Sequence, residues 1–335
     1  MILFEQEEYI RSDCKKIYGN ISGIQEFQIF IPTFREIFYL EEALDSVFHL
    51  DNTYALVISN EWHDEYTEIF EKYPKNRIEV YVNNENVGMA NNWNRGYILA
   101  KSKWVFMLHD DDILNYEKFN YFIDIIKKND GIDGLSCPYL SFNDDQLENI
   151  STPVKIYKKI FKNKLKRIET FDFLFHLPVQ IIGIFLRREC VLNTEGFNSK
   201  YVYGADYDYL GRFSYKYNLY SVNSENYLVL YRTTVSMTNI SRTKKDAWIE
   251  DYFIKKDIEK LINKPLTFYK YHRYMKLFSC CNYLDITPNE LLKIVQSDLS
   301  IDETEKILCK NYGIIYSDKV VSLYLFLRSF LNFNN

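Results

Sequence analysis

Residues 109–112 read His-Asp-Asp-Asp directly after an apolar run, 104–108 (WVFML). Three adjacent carboxylates repel one another, by roughly a few kcal/mol per close pair at intermediate dielectric, unless a cation or a hydrogen-bond shell neutralises them. Hard oxygen ligands at a rigid strand end suit Mg2+ or Mn2+, an ion that bridges the phosphates of a donor and offsets charge on a leaving diphosphate. The plainer alternative is a solvated acidic turn that caps the next helix. The buried strand in front of the triplet favours the metal, because ligands of open α/β sheets gather beyond the carboxyl ends of strands.

The surrounding sequence supplies such a sheet. Residues 27–32 (FQIFIP) form a near-continuous apolar run that predicts a buried strand, and Leu40, Ala43, Leu44, Val47 and Phe48 then recur at helical spacing. Residues 54–59 (YALVIS) predict a second strand, and Ile78, Val80 and Val82 alternate as a third. A helix over 91–101 leads into WVFML as the fourth, and Phe119, Phe122, Ile123 and Ile126 mark another helix. Further on, 181–186 reads as a strand, 207–217 as a helix and 220–232 as one or two strands. This alternation predicts an α/β fold with a parallel or mixed sheet covered by helices on both faces. Residues 1–25 read as a partly helical lead-in, and the pattern becomes helical only from about residue 241. The expected organisation is therefore a lead-in over 1–25, a catalytic domain over 26–240 and a helical subdomain over 241–335.

Bulk properties narrow the function. The 335 residues suffice for one large core or two smaller ones, with 47% hydrophobic and 26% charged residues, as in soluble globular proteins. A net charge of -5 argues against nucleic acid as a partner. Six cysteines without ligand spacing fit free thiols in a reducing compartment. The acidic N-terminus is unlike a secretory signal, and no stretch reaches the roughly 18 apolar residues of a spanning helix, so a cytoplasmic location is expected.

The stretch Asn86-Val87-Gly88-Met89-Ala90-Asn91-Asn92-Trp93-Asn94-Arg95-Gly96, continued by WVFML and His109-Asp110-Asp111-Asp112, resembles family 2 glycosyltransferases of the GT-A fold, closest to the bacterial cell-surface polysaccharide branch. Residues 31–35 (IPTFR) and 40–47 (LEEALDSV) resemble that family's first strand and helix, and the likeness spans about residues 26–236. It implies a Rossmann-like mixed central sheet flanked by helices, with a helical C-terminal appendage. It also implies an enzyme that moves one sugar, with inversion, from a nucleotide-diphosphate donor to an acceptor hydroxyl. A UDP-sugar is the favoured donor, and a glycan or lipid-linked oligosaccharide is the expected acceptor.

By this resemblance the metal ligands fall on Asp110, Asp111 and Asp112, with Asp111 and Asp112 favoured and Mn2+ or Mg2+ as cofactor. Many relatives carry Asp where this chain has His109. Donor contacts fall on Thr33, Arg35, Asn60 and Glu61 for the nucleoside, and on Asn86, Gly88, Asn91, Asn94 and Asp110 for the remainder. Gly88 has an independent rationale, since a loop that approaches a diphosphate needs a residue without Cβ. For each Asn singly, turn or cap chemistry is the commoner use. Residues 204–213 (GADYDYLGRF) resemble the family's acidic catalytic segment, with Ala205 replacing its first acid. Asp206 is the expected base, followed by Asp208, and a helix cap is the competing use. After the last strand, 231–236 (YRTTVS) stands where many relatives carry a metal-binding His, and none is present.

Two features bear on partners. The apolar run 320–331 (VVSLYLFLRSFL) suits a terminal helix that packs on the core or on a second subunit of a homodimer. It equally suits a peripheral anchor on the inner face of a membrane, aided by the basic run from Lys155 to Arg167. Two rivals to the transferase are a nucleotidyltransferase, which lacks its glycine-rich basic loop here, and a catalytically silent sugar-binding scaffold.

Overall fold

The computed structural model describes residues 2–34, 37–144, 164–233, 244–263, 273, 276–277 and 286–295. The chain divides into two compact units, one of residues 1–169 with 178–237, the other of 170–177 with 238–335.

Four parallel strands form the heart of the first unit: β2 (Gln25–Thr33), β3 (Ala55–Ser59), β4 (Ile78–Asn83) and β5 (Ser102–Met107). Every residue of β3 is buried, which is why its sequence is an unbroken apolar run rather than an alternation. The connections carry α2 (Ile37–Phe48), α3 (Glu65–Phe70) and α4 (Met89–Leu99), and α5 (Tyr116–Lys127) follows β5. On the far side of β5 lie β10 (Ile184–Arg187), β7 (Gly134–Ser136), β11 (Leu219–Asn223) and β9 (Lys164–Ile168). Among the described residues the large sheet runs β1-β4-β3-β2-β5-β10-β7-β11-β9. A small second sheet joins β6 (Ile113–Leu114), β12 (Val229–Arg232) and β8 (Tyr139–Phe142). The mixed α/β architecture expected from the alternating pattern is thus observed.

The lead-in is part of this sheet. A helix, α1 (Glu7–Ser12), runs into β1 (Cys14–Gly19), which pairs antiparallel with β4 and closes that edge. The sequence of β1, CKKIYG, has no apolar alternation because neither of its faces is buried. Its neighbour Asp13 forms an ion pair with Arg95 of α4, whose guanidinium also donates to the Asp13 carbonyl and, at 2.7 Å, to Asn83 Oδ1. Arg95 is 4% exposed, so the N-terminal segment supplies the counter-charge for a buried cation.

In the second unit the turn Thr170–Leu174 packs against α8 (Lys245–Ile262), where the buried Lys255 bonds to Asp251 at 2.8 Å. A short helix, α9 (Pro288–Ile294), opens with a Thr287/Glu290 capping box. The unit therefore begins in sequence at residue 170 and takes residues 170–177 and 238–240 from the span expected to be catalytic. No helix among the described residues is long and apolar enough to cross a membrane. The run 320–331 and Lys155, Lys158, Lys159 and Lys162 of the basic run lie outside the described residues.

Removal of the Asp13 carboxylate leaves Arg95 a buried cation without its ion-pair partner. Asp13→Ala is expected to lower unfolding free energy by about 3 kcal/mol, checked by urea denaturation; a loss below ~0.5 kcal/mol contradicts this account of the N-terminal segment.

Candidate active site

The end of β5 delivers the acidic turn, and its four side chains separate into two directions. His109, Asp111 and Asp112 face one another, with one ligand atom from each lying within 4.8 Å of the others. Asp112 is fully buried; its Oδ1 accepts the Arg232 backbone N–H at 3.0 Å, whereas Oδ2 has no hydrogen-bond partner and lies 3.8 Å from His109 Nδ1. Asp110 turns instead towards β2. Its Oδ2 accepts the Phe34 N–H at 3.3 Å, and its carboxyl group also bonds to the Thr33 hydroxyl. The structure thus brings His109, rather than Asp110, to Asp111 and Asp112. Asp110 stands apart from that cluster because its carboxylate bonds to Phe34 and Thr33 at the end of β2.

Burial dominates the electrostatics. It drives the Asp112 carboxyl well above the usual carboxylate range, and the charge of Asp111 pushes it further in the same direction. Asp110 is pushed up to about 7, first by burial and then by Asp111, although its bonds to Thr33 and Phe34 oppose the rise. Burial lowers the His109 imidazole below its ordinary value, which keeps a nitrogen lone pair available at neutral pH. The unpartnered Asp112 oxygen and the neutral imidazole facing it make a donor set suited to a divalent cation, which removes the cost of confining these charges together.

The 204–213 segment approaches the same end of the sheet beside β10. This strand runs antiparallel to β5 with Ile184 opposite Met107, so residues just before β10 stand beside residues just after β5. Asp206 lies in the first turn of α7 (Ala205–Lys216) and accepts the Tyr207 N–H at 2.8 Å and the Ile181 N–H. The residue in the cap position is Gly204, so Asp206 is not the cap. Burial raises its carboxyl to about 6. Asp208 is buried and ion-paired with Arg212 at 2.5 Å, and Arg212 also donates to the Gly196 carbonyl at 2.8 Å. Asp208 therefore braces α7 against the turn before it.

An aromatic and amide bridge ties the two segments together. Trp93 of α4 stacks on His109 with centroids 6.0 Å apart and meets Phe197 edge-on at 5.1 Å. Phe197 in turn packs on Tyr209 of α7 at 4.0 Å. Asn94 accepts the Phe197 N–H at 2.7 Å and donates to its carbonyl at 2.9 Å. Gly196 is held at φ 72°, and a Cβ there would sit 2.4 Å from Asn94 Oδ1, so the turn requires glycine.

Most of the expected donor residues lie at the carboxyl ends of β2, β3 and β4, several with their polar atoms already engaged. Thr33 is buried against Tyr66, with 3.3 Å between hydroxyls. Asn60 accepts from Asn83 at 2.8 Å and from the Val87 N–H at 3.3 Å, within a buried chain that continues from Asn83 to Asn92. Glu61 is exposed, and its backbone N–H and carbonyl are both held by the Ser59 hydroxyl. Asn86 accepts the Gly88 N–H at 2.9 Å, Gly88 opens α4 at φ 77° with open space where a Cβ would stand, and the exposed Asn91 donates to the Val87 carbonyl at 3.0 Å. Asn60 and Asn94 accordingly brace the loops rather than offering free groups. Arg35 and Thr234 lie outside the described residues. A cavity of about 500 Å3 opens at the opposite, amino ends of β2 and β3, between residues that include Gln25, Tyr54 and Lys127, and holds none of the expected site residues.

Sequence reasoning missed two contributors. Trp93 belongs to an NNWN run whose inward orientation only helix packing reveals. Arg232, which touches the acidic turn from β12, carried no signal beyond its place beside a missing histidine.

A mixed central sheet flanked by helices, with an acidic turn at the end of one parallel strand, is the architecture of the GT-A fold. Residues 28–189 match the family model described as Glycosyl transferase family 2 and form a glycosyltransferase domain of that family, in a chain with the GT-A fold. It is 26% identical over 278 residues to an uncharacterized glycosyltransferase of Methanocaldococcus jannaschii, covering 80% of this chain and 90% of the relative. Among solved structures, S. aureus TarS 1-349 is similar with a TM-score of 0.54 at 15% identity, over 83% of this chain and 77% of that one. A further TarS structure holds UDP-GlcNAc. The mannosyltransferase PcManGT from Pyrobaculum calidifontis, in complex with GDP-Man and Mn2+, is similar with a TM-score of 0.52 at 11% identity, over 98% of this chain and 89% of that one.

Loss of the Asn94 side chain leaves the Phe197 N–H and carbonyl buried without partners. Asn94→Ala is expected to destabilise the protein by about 2 kcal/mol, visible as a lower Tm; an unchanged Tm contradicts the bridging role.

Proposed function

We propose that the enzyme transfers a single sugar, with inversion, from a nucleotide-diphosphate donor to an acceptor hydroxyl, with His109, Asp111 and Asp112 holding a divalent cation and Asp206 acting as base. The observation that carries the metal part is the buried, unpartnered Asp112 oxygen facing His109 and Asp111. When bound, Mn2+ or Mg2+ neutralises negative charge on the diphosphate. Asp110, with Thr33 and the 86–91 loop, then lies on the donor side of the turn.

The acceptor oxygen attacks the anomeric carbon as the carbon–oxygen bond to phosphate breaks and the nucleoside diphosphate leaves with the bonding pair. Asp206 takes the proton of the attacking hydroxyl. Its carboxyl near 6 leaves it ionised at pH 7 yet more basic than an ordinary aspartate, as a general base requires. No second carboxylate is nominated as a nucleophile, which favours direct displacement. A UDP-sugar is the favoured donor, supported by the resemblance and by the UDP-GlcNAc complex of TarS; PcManGT, with GDP-Man, leaves a guanosine donor as the competing choice. The acceptor in this reading is a glycan or lipid-linked oligosaccharide of cell-surface polysaccharide synthesis, with peripheral membrane contact or a homodimer contributed by segments outside the described residues.

Two measurements test the assignment. With a UDP-sugar and Mn2+, Asp206→Asn is expected to lower kcat by about 10²–10⁴-fold without abolishing donor binding. The wild-type rate should fall as pH drops through about 6, where Asp206 becomes protonated; a rate level down to pH 4 excludes Asp206 as base. In Mn2+ titrations followed by electron paramagnetic resonance, Asp112→Ala and His109→Ala should each weaken binding by at least about tenfold. Asp110→Asn should do so far less, and the reverse order would restore the all-aspartate ligand set.

A further inference from the structure

Arg232 is among the largest side chains with essentially no exposure, at 1%. The hydrogen bonds and ion pairs of its side chain are directed at acidic groups or at the acidic turn. The backbone N–H donates to Asp112 Oδ1 at 3.0 Å, and Nε donates to the Asp111 carbonyl at 2.8 Å. The two terminal nitrogens form ion pairs with Glu42 of α2 and with Asp144, two residues beyond β8. The guanidinium plane lies over the Tyr39 ring at 4.1 Å and the Phe142 ring at 4.7 Å. A planar fork reaches three well-separated acceptors at once while its flat face lies against aromatic rings; a lysine ammonium carries its three donors on one nitrogen and has no flat face to stack.

On the metal site proposed above, we infer that Arg232 is the positioning residue that holds the acidic turn open for a divalent cation. Its main chain occupies one Asp112 oxygen and leaves the other turned towards His109 and Asp111. Its guanidinium pins the Asp111 carbonyl, which fixes where the Asp111 side chain leaves the turn. Glu42 and Asp144 take the remaining donors, so the arginine cannot swing round and neutralise the ligand carboxylates itself. Permanent positive charge behind the turn also lowers the repulsion that three confined acids feel before a cation arrives. Because β12, β8 and α2 all converge on this one side chain, the turn is set by tertiary packing and not by its own sequence.

The test compares Mn2+ affinity, by electron paramagnetic resonance titration of the full-length protein, with Tm. Arg232→Lys is expected to weaken Mn2+ binding at least about tenfold while the far-ultraviolet circular dichroism stays native. Arg188→Lys is the control for general loosening, since Arg188 binds the Tyr97 and Ile98 carbonyls at 2.8 Å each and touches no acid of the turn; it should lower Tm and leave Mn2+ affinity unchanged. Folded Arg232→Lys with wild-type affinity, or equal weakening in Arg188→Lys, overturns the inference while leaving the metal site standing. If Arg232→Lys does not fold, Glu42→Gln combined with Asp144→Asn decides, because both acids are partly exposed: weaker Mn2+ binding supports the clamp and wild-type binding overturns it. Wild-type protein that binds no Mn2+ ends both the metal reading and this inference.

Discussion

Negative charge confined at the end of a buried strand is the constraint around which this molecule is organised. Asp110, Asp111 and Asp112 are consecutive, and Asp112 has no solvent exposure. Confinement of that kind is tolerable only when each carboxylate is given donors or a counter-charge. Asp110 receives them from the end of β2, through Thr33 and the Phe34 N–H. Asp112 receives one from the Arg232 main chain and keeps one oxygen unpaired. The turn therefore has a half towards β2 that is satisfied internally and another half that is left unsatisfied on the side of His109.

The same economy explains the buried amides. Asn60, Asn83 and Asn92 form a continuous hydrogen-bonded chain under the loop that opens α4, and Arg95 extends it to Asp13 at the N-terminal edge. Asn94, one residue away on the helix, faces the other direction and grips Phe197. A helix that projects successive side chains about 100° apart can serve both purposes, with Trp93 between them against His109. The NNWN run is thus a joint between the parallel strands β2 to β4 and α7.

Much of the fold was legible in the residue pattern. The strands near 27–32, 54–59, 78–82 and 104–108 emerged within a few residues of β2 to β5, because buried parallel strands are near-continuous apolar runs. Strand β1 was not legible, since an edge strand with charged, half-exposed faces lacks alternation. The short α3 and α6 (Arg188–Leu192) were likewise hidden, as five or six residues carry too little periodicity to register. At the site, residue types were readable and directions were not: Asp110 and Asp111 are neighbours in sequence and point to different partners.

The amino-acid sequence alone carried the resemblance to family 2 glycosyltransferases, the alternating α/β order and the run of acids at the end of the fourth parallel strand, because each is written in local residue types and their spacing. Tertiary structure decided which of those acids share a pocket. It turned Asp110 towards β2, set His109 beside Asp111 and Asp112, assigned Asn60 and Asn94 to bracing, and drew Arg232 from more than a hundred residues away to the back of the turn. The reason is physical: a side chain's direction and burial depend on which distant elements pack against it, and no window of neighbouring residues contains that information.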